Sequence, residues 1–247
     1  TSVGWNSNVE IFSDTMPVAE VKQLTPDIKN PITDEEYVLK IHELTEDSDY
    51  KKLEELLTNY EKWIKNIERD KNNLDEVYSS VAQNSISECL NALERMRSGL
   101  ELIQNNEKIR KAFQLANQAI YKQQILPSYK RKLVQYDVEQ EDPEQRYIFE
   151  KFLDEKVREP SWRPFQIAFF LLNIESIANE HSKDRTLVDL LWFPTGGGKT
   201  EAYLGLIAFN LFLERLNGLD TNRTSVIMRY TLRLLTAQQF ERASKLI

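Results

Sequence analysis

A mixed fold is predicted for this chain of 247 residues: an all-α N-terminal region followed by the opening of an α/β domain built on a parallel sheet. Three features of the sequence predict it. Between residues 33 and 135 apolar side chains recur at helical spacing over long stretches. From Leu187 to Leu216 a short apolar run, three consecutive glycines and a helical stretch follow one another, and a second β-branched run, Thr224 to Tyr230, comes after them. Strand, glycine loop, helix and strand in that order make a βαβ unit, with a right-handed crossover and parallel strands. Two strands alone are at best marginally stable in water, so the sheet is expected to be incomplete here and to continue past Ile247.

Residues 1–32 carry scattered prolines and no sustained period, and read as an irregular arm with one short strand near Val9 to Phe12. At Thr33 the sequence TDEE offers a capping box, which predicts a short helix through about Glu43. Leu53, Leu56, Leu57, Tyr60, Ile64 and Ile67 then form one helical stripe. Leu74, Val77, Val81, Ile86, Leu90, Leu93, Leu100 and Ile103 form a second. A third helix, Ile109 to Ile125, carries Ala112, Phe113, Ala116, Ala119 and Ile120 and is expected to stop at Pro127. These stripes are read as the core of a helical domain over residues 33–135. Residues 136–160 read as an acidic linker with a short helix, Tyr147 to Val157, and a new domain is expected over residues 161–247.

Hydrophobic residues make up 41% of the chain, enough for an ordinary packed core. The longest apolar run, Tyr203 to Leu213, is broken by Asn210 and falls short of the roughly 20 residues that cross a bilayer, so no membrane association is expected. The opening TSVGWNSNVE has neither the basic start nor the apolar stretch of a secretory signal, and its missing Met reads as a trimmed start. A cytoplasmic protein is the expectation. Cys89 is the only cysteine and lies on the apolar side of a helical pattern, which predicts a buried thiol. His42 and His181 have no second ligand at a metal-binding interval, so no structural metal is expected.

A net charge of -7 argues against nucleic-acid binding through the whole surface, but the charge is unevenly placed. Lys108, Arg110, Lys111, Lys122, Lys130, Arg131 and Lys132 fall in a stretch without acids, and Asp137 to Glu144 holds five acids and no base. The basic stretch is a candidate duplex-facing surface, against the alternative of a solvated helix face.

The chemistry of the chain is concentrated in FPTGGGKT, Phe193 to Thr200. Three of the seven glycines of the chain are Gly196, Gly197 and Gly198. Each glycine in an ordered element costs about 0.5 to 1 kcal/mol relative to Ala, so a run of three implies left-handed backbone or close approach to a ligand. With Pro194 and Thr195, such a loop turns its backbone N–H groups inward as an anion nest, and the following helix adds the positive end of its dipole. Lys199 supplies a charge for the β- and γ-phosphates of ATP, the Thr200 hydroxyl is placed to hold Mg2+, and Glu201 follows in the same turn. Phe193 departs from the motif, where Gly or Ala is usual, but every phosphate-contacting position is intact.

Two further segments narrow the class. WRPFQ, Trp162 to Gln166, resembles the adenine-recognising motif ahead of motif I in superfamily 2 helicases, which maps the adenine-reading roles onto Arg163 and Gln166. The competing reading is a helix start with a satisfied Gln. YTLRLLTAQQ, Tyr230 to Gln239, is similar to motif Ia of the same helicases, with Arg233, Leu235 and Gln238 at the family spacing. There Thr231, Arg233 and Gln238 would meet the phosphates of a DNA strand, the competing reading being an amphipathic helix packed on the sheet. On these motifs residues 161–247 read as the first part of a RecA-like helicase lobe carrying motifs Q, I and Ia.

The stretch LLWFPTGGGKTEAYL to RYTLRLLTAQQFERA, with RSGLELI and AFQLANQAI before it, resembles DrmA, the helicase family of the DISARM anti-phage defence system. The resemblance implies an ATP-dependent DNA helicase or translocase working with a second protein of that system. A motor of this kind also needs an acidic Walker B pair and an arginine finger. Asp75-Glu76 precedes the phosphate loop at a helix start and is not read as that pair, so this chain alone is expected to bind nucleotide without turnover. Two alternatives stay open: a P-loop NTPase that does not act on nucleic acid, and a helical interaction module with an inactive loop.

Overall fold

The computed structural model describes residues 9–11, 19–21, 38–46, 49–72, 76–133, 159–191, 198–219, 222–230 and 233–244. Strands β1 (Val9–Ile11) and β2 (Ala19–Val21) pair antiparallel, with Glu10 opposite Glu20. Strand β3 (Leu39–Lys40) and a single turn, α1 (Glu43–Glu46), occupy the described end of the stretch expected to be helical from Thr33, whose first residues lie outside the described ones. Three long helices follow: α2 (Lys51–Lys71), α3 (Glu76–Asn105) and α4 (Glu107–Leu133). Strand β4 (Ser161–Trp162) runs antiparallel to β3 and leads into α5 (Pro164–Ala178). A 3-10 turn at Lys183–Thr186, helix α6 (Lys199–Leu216) and helix α7 (Arg233–Ser244) complete the order.

The expected parallel sheet, and with it the RecA-like α/β fold, is corrected by this arrangement. Among the described residues the strands form two separate two-stranded antiparallel pairs, and the rest is helix and irregular chain. Leu187–Leu191 and Thr224–Tyr230, the runs read as parallel strands, make no strand pairing, while Trp192 and Phe193 lie outside the described residues. Side chains drawn to neighbouring helices hold both runs instead. Arg95 of α3 grips Asp189 through two hydrogen bonds of 2.8 and 2.7 Å, and its Nε stands 3.2 Å from Asp184 as an ion pair rather than a directed hydrogen bond. Glu214 of α6 accepts from Arg223 at 2.6 Å and from Ser225. Burial alone would push the Glu214 carboxyl up, but those two donors outweigh it and hold the group below its ordinary value.

Helix α4 also departs from the sequence reading, since it continues through Pro127 to Leu133. Proline removes one backbone donor and crowds the preceding turn, which weakens a helix without always ending it. The start of α4 is set by Asn106, whose Oδ1 accepts from the N–H groups of Lys108 and Ile109 at 3.0 and 3.2 Å. Arg110 caps the end of α3 by donating to the carbonyls of Ile103 and Gln104. One member of the basic stretch therefore closes the α3–α4 turn, whereas Lys108, Lys111 and Lys122 are exposed and the side chains of Lys130 to Lys132 lie outside the described residues.

Helix α3 packs on α2 and α5, α4 on α6, and α5 on α6. Their apolar faces meet in one core in which Leu53, Ile103, Phe113, Phe170, Leu204 and Phe209 are buried together. Cys89 is half-buried against that core. Trp162 locks the segment after residue 160 onto α4: its indole Nε1 donates to Asn117 Oδ1 at 2.7 Å, and Asn117 Nδ2 donates to the Phe113 carbonyl at 2.8 Å. No helix among the described residues is long and apolar enough to cross a membrane.

Candidate nucleotide-binding site

Helix α6 starts on Gly198, whose backbone is left-handed at φ 86° and ψ 24° and which offers the helix no side-chain cap. That conformation turns the chain from the loop into the helix and is open to glycine at no steric cost. Lys199, Thr200 and Glu201 form the first turn and are all half-buried. Helix α6 is 18 residues long, so its dipole and first-turn N–H groups face the side from which the loop arrives. Lys and Thr at the first two positions of a glycine-headed helix are residue types that can meet a phosphate and its cation. Pro194, Thr195, Gly196 and Gly197 lie outside the described residues.

Gln166 is the point where two sequence motifs meet. It stands in the first turn of α5, where Pro164 occupies the position that needs no N–H donor. Its Oε1 accepts from the Arg163 backbone N–H at 2.8 Å, which is half of a capping box. Its Nε2 donates to the Gly198 carbonyl at 2.7 Å. The side chain is 5% exposed, and its amide thus joins the start of α5 to the last residue of the glycine loop. One N–H and one lone pair of the amide remain beyond these two bonds. Arg163 is exposed beside it.

The motif Ia residues are only partly placed. Arg233 is the first residue of α7, with its side chain outside the described residues, as is Thr231; Gln238 is exposed on α7. One helical turn past Gln238, Arg242 pairs with the carboxylate of Glu201. The start of α6 is therefore approached by α5 through Gln166 and by α7 through Arg242. Cavities among the described residues lie elsewhere. One of about 730 Å³ runs along the later turns of α6, beside Glu214 and Ile227, and one of about 1000 Å³ separates α2 and α3 from α5 and Leu187–Leu191.

No protein-family model matches the chain. Among curated proteins it is 36% identical over 256 aligned residues to the DISARM protein DrmA of Bacillus paralicheniformis, an alignment that covers 96% of this chain. The chain belongs to the DrmA-like DISARM proteins. It spans about a fifth of the length of that relative, 21%. The similarity to DrmA thus takes in the N-terminal helices as well as the glycine loop.

Two ion-pair systems of this DrmA-like chain escaped the sequence reading. Arg95 sits between Leu93 and Met96 on the buried side of α3, and a guanidinium there needs carboxylate partners, which Asp184 and Asp189 supply just ahead of the glycine loop. Arg242 follows Gln238 at a spacing of four, which places both on neighbouring turns of one helix face. Gln166→Ala removes two hydrogen bonds at once and is expected to lower stability by about 2 kcal/mol. Gln166→Glu should restore only part of that loss, because a carboxylate accepts from Arg163 but faces the Gly198 carbonyl without a donor. Thermal melts of the two variants check this, and an unchanged melt for Gln166→Ala would remove the brace.

Proposed function

We propose that this chain carries the nucleotide-binding segment of an ATP-dependent DNA helicase or translocase that acts in the cytoplasm in anti-phage defence, together with a second protein of the DISARM system. The observation that carries the nucleotide reading is Gly198 in left-handed conformation at the head of α6, with Lys199 and Thr200 in the first turn and the Gln166 amide on its carbonyl. Lys199 would balance phosphate charge, Thr200 would hold Mg2+, and the remaining donor and acceptor of Gln166, with Arg163, would read adenine. Bound ATP with Mg2+ supplies the free energy of phosphoryl transfer to water. Arg233 and Gln238 on α7 would bind the backbone of the tracked strand, a contact that carries no base identity. The DISARM name of the relative supports the defence role, and the helicase motifs support the motor.

The test is a titration of the full-length protein with Mg2+ and ATP, followed by displacement of a labelled strand from a DNA duplex. Lys199→Ala removes a charge-assisted contact of about 1.5 to 3 kcal/mol, so ATP affinity should fall roughly 10- to 100-fold and strand displacement with it. Unchanged affinity in Lys199→Ala would place the nucleotide elsewhere.

A further inference from the structure

Helix α7 reaches the head of α6 through Arg242. In the last turn of α7, Arg242 Nη2 donates to Glu201 Oε1 in the first turn of α6. The other oxygen of that carboxylate, Oε2, lies 3.4 Å from the position a Cβ would take at Gly198, which places the carboxylate beside the residue that ends the glycine loop. Gln123 of α4 donates to the Arg242 carbonyl, which anchors the same turn of α7 from the helical region. The end of α7 is thereby held by its side chain to α6 and by its backbone to α4. Arg242 is more than a third exposed, and an ion pair that exposed contributes at most about 1 kcal/mol to stability. Its consequence lies in where it holds Glu201.

We propose that Arg242 is a positioning residue that couples occupancy of helix α7 by a single DNA strand to the nucleotide-binding head of α6, through the carboxylate of Glu201. This rests on the function proposed above. A strand bound along the exposed face of α7 that carries Gln238 shifts the helix; the Arg242 guanidinium transmits the shift to Glu201, and Glu201 to the turn that carries Lys199 and Thr200. The Gln123 anchor holds the Arg242 backbone against α4, so a shift of α7 pivots at that turn and reaches Glu201 through the guanidinium. Coupling between two binding sites is reciprocal, so nucleotide must alter strand affinity by the same factor as strand alters nucleotide affinity.

The experiment measures the affinity of full-length protein for a fluorescent oligothymidylate by anisotropy, with and without Mg2+ and a non-hydrolysable ATP analogue. In the unaltered protein the two affinities should differ by about fivefold or more. In R242Q each ligand alone should bind within about twofold of normal while the ratio falls close to one, and R242K, which keeps the charge, should retain most of it. In the absence of either ligand, amide exchange over Lys199 to Ala202 should quicken in R242Q but not in R242K. Full coupling in R242Q, or exchange that does not move, overturns the proposal. If the unaltered protein binds both ligands with no mutual effect, this proposal falls alone. If it binds no nucleotide, the functional reading falls and takes the proposal with it.

Discussion

Gly99→Ala is expected to lower the stability of the fold by about 3 kcal/mol, the upper part of the range for forcing extra atoms into a packed interior. A methyl group at this position would stand 2.1 Å from the Leu171 carbonyl oxygen, 3.0 Å from its carbon and 3.4 Å from Ile174 Cβ. The first two are backbone atoms of α5, so no side-chain rotation relieves the clash. Helix propensity works in the other direction, since Ala exceeds Gly by about 1 kcal/mol inside a helix, but that gain is smaller than the cost of parting α3 from α5. Parting them also strains the hydrogen bond from Ser98 Oγ to Glu175 Oε2, 2.6 Å long at the same crossing. A chain of this size loses about 2 to 4 °C in Tm per kcal/mol, so a thermal melt should fall by roughly 6 to 12 °C. A melt raised by the substitution would mean that the helices do not cross this closely.

The consequence of that crossing reaches the candidate site, because α5 carries Gln166 at its start. Its close approach was invisible in the sequence, where Gly99 is one small residue within a helical stripe. The stripes themselves were legible: Leu53, Leu56, Leu57 and Ile64 on α2, and Ile86, Leu93, Leu100 and Ile103 on α3, are buried as their spacing predicts. Val81 and Leu90 fit the same period and are exposed, since periodicity identifies a face and not the length over which a neighbour covers it. The helix-opening WRPFQ was legible as a start signal, and the αL glycine at the head of α6 follows from the glycine run.

The departure from the expected parallel sheet has a physical reason. Strand-forming residues are those that fit a pleated, half-buried surface, and their preference says nothing about whether a neighbouring strand is present. In the run that opens at Leu187, Val188 and Leu190 are 95% and 83% exposed while Asp189 between them is turned in toward Arg95. In the second run Ile227 is 86% exposed, and Ser225, with Arg223 just ahead of the run, makes the anchoring contacts. Each run is held by polar side chains in or beside it that an apolar-pattern reading discards. The same blindness hid Arg242: sequence motifs assign roles by spacing to a ligand, whereas Arg242 acts on another side chain of the protein.

Gly198→Val should produce the largest loss at the candidate site, about a hundredfold in ATP affinity, equivalent to about 2.7 kcal/mol. A β-branched residue at φ 86° is a backbone outlier that costs about 1 to 3 kcal/mol by itself. Its Cβ would also come within 2.6 Å of Gln166 Nε2. Gln166 cannot swing aside freely, because its two ends hold Arg163 N–H and the Gly198 carbonyl, so the clash breaks one of those bonds or turns the last loop peptide away from the phosphate position. Strain and clash can be separated. In Gly198→Ala the clash remains and the β-branching is gone; in Gly198→Ala with Gln166→Ala the amide is gone too, and the nearest remaining neighbour, Glu201 Oε2 at 3.4 Å, is an ordinary contact. The double variant should therefore lose less stability than the sum of the two single variants, a non-additivity expected only of residues in contact. Strict additivity in a double-mutant cycle would show that Gln166 does not press on Gly198, and the cost of a side chain there would then be backbone strain alone.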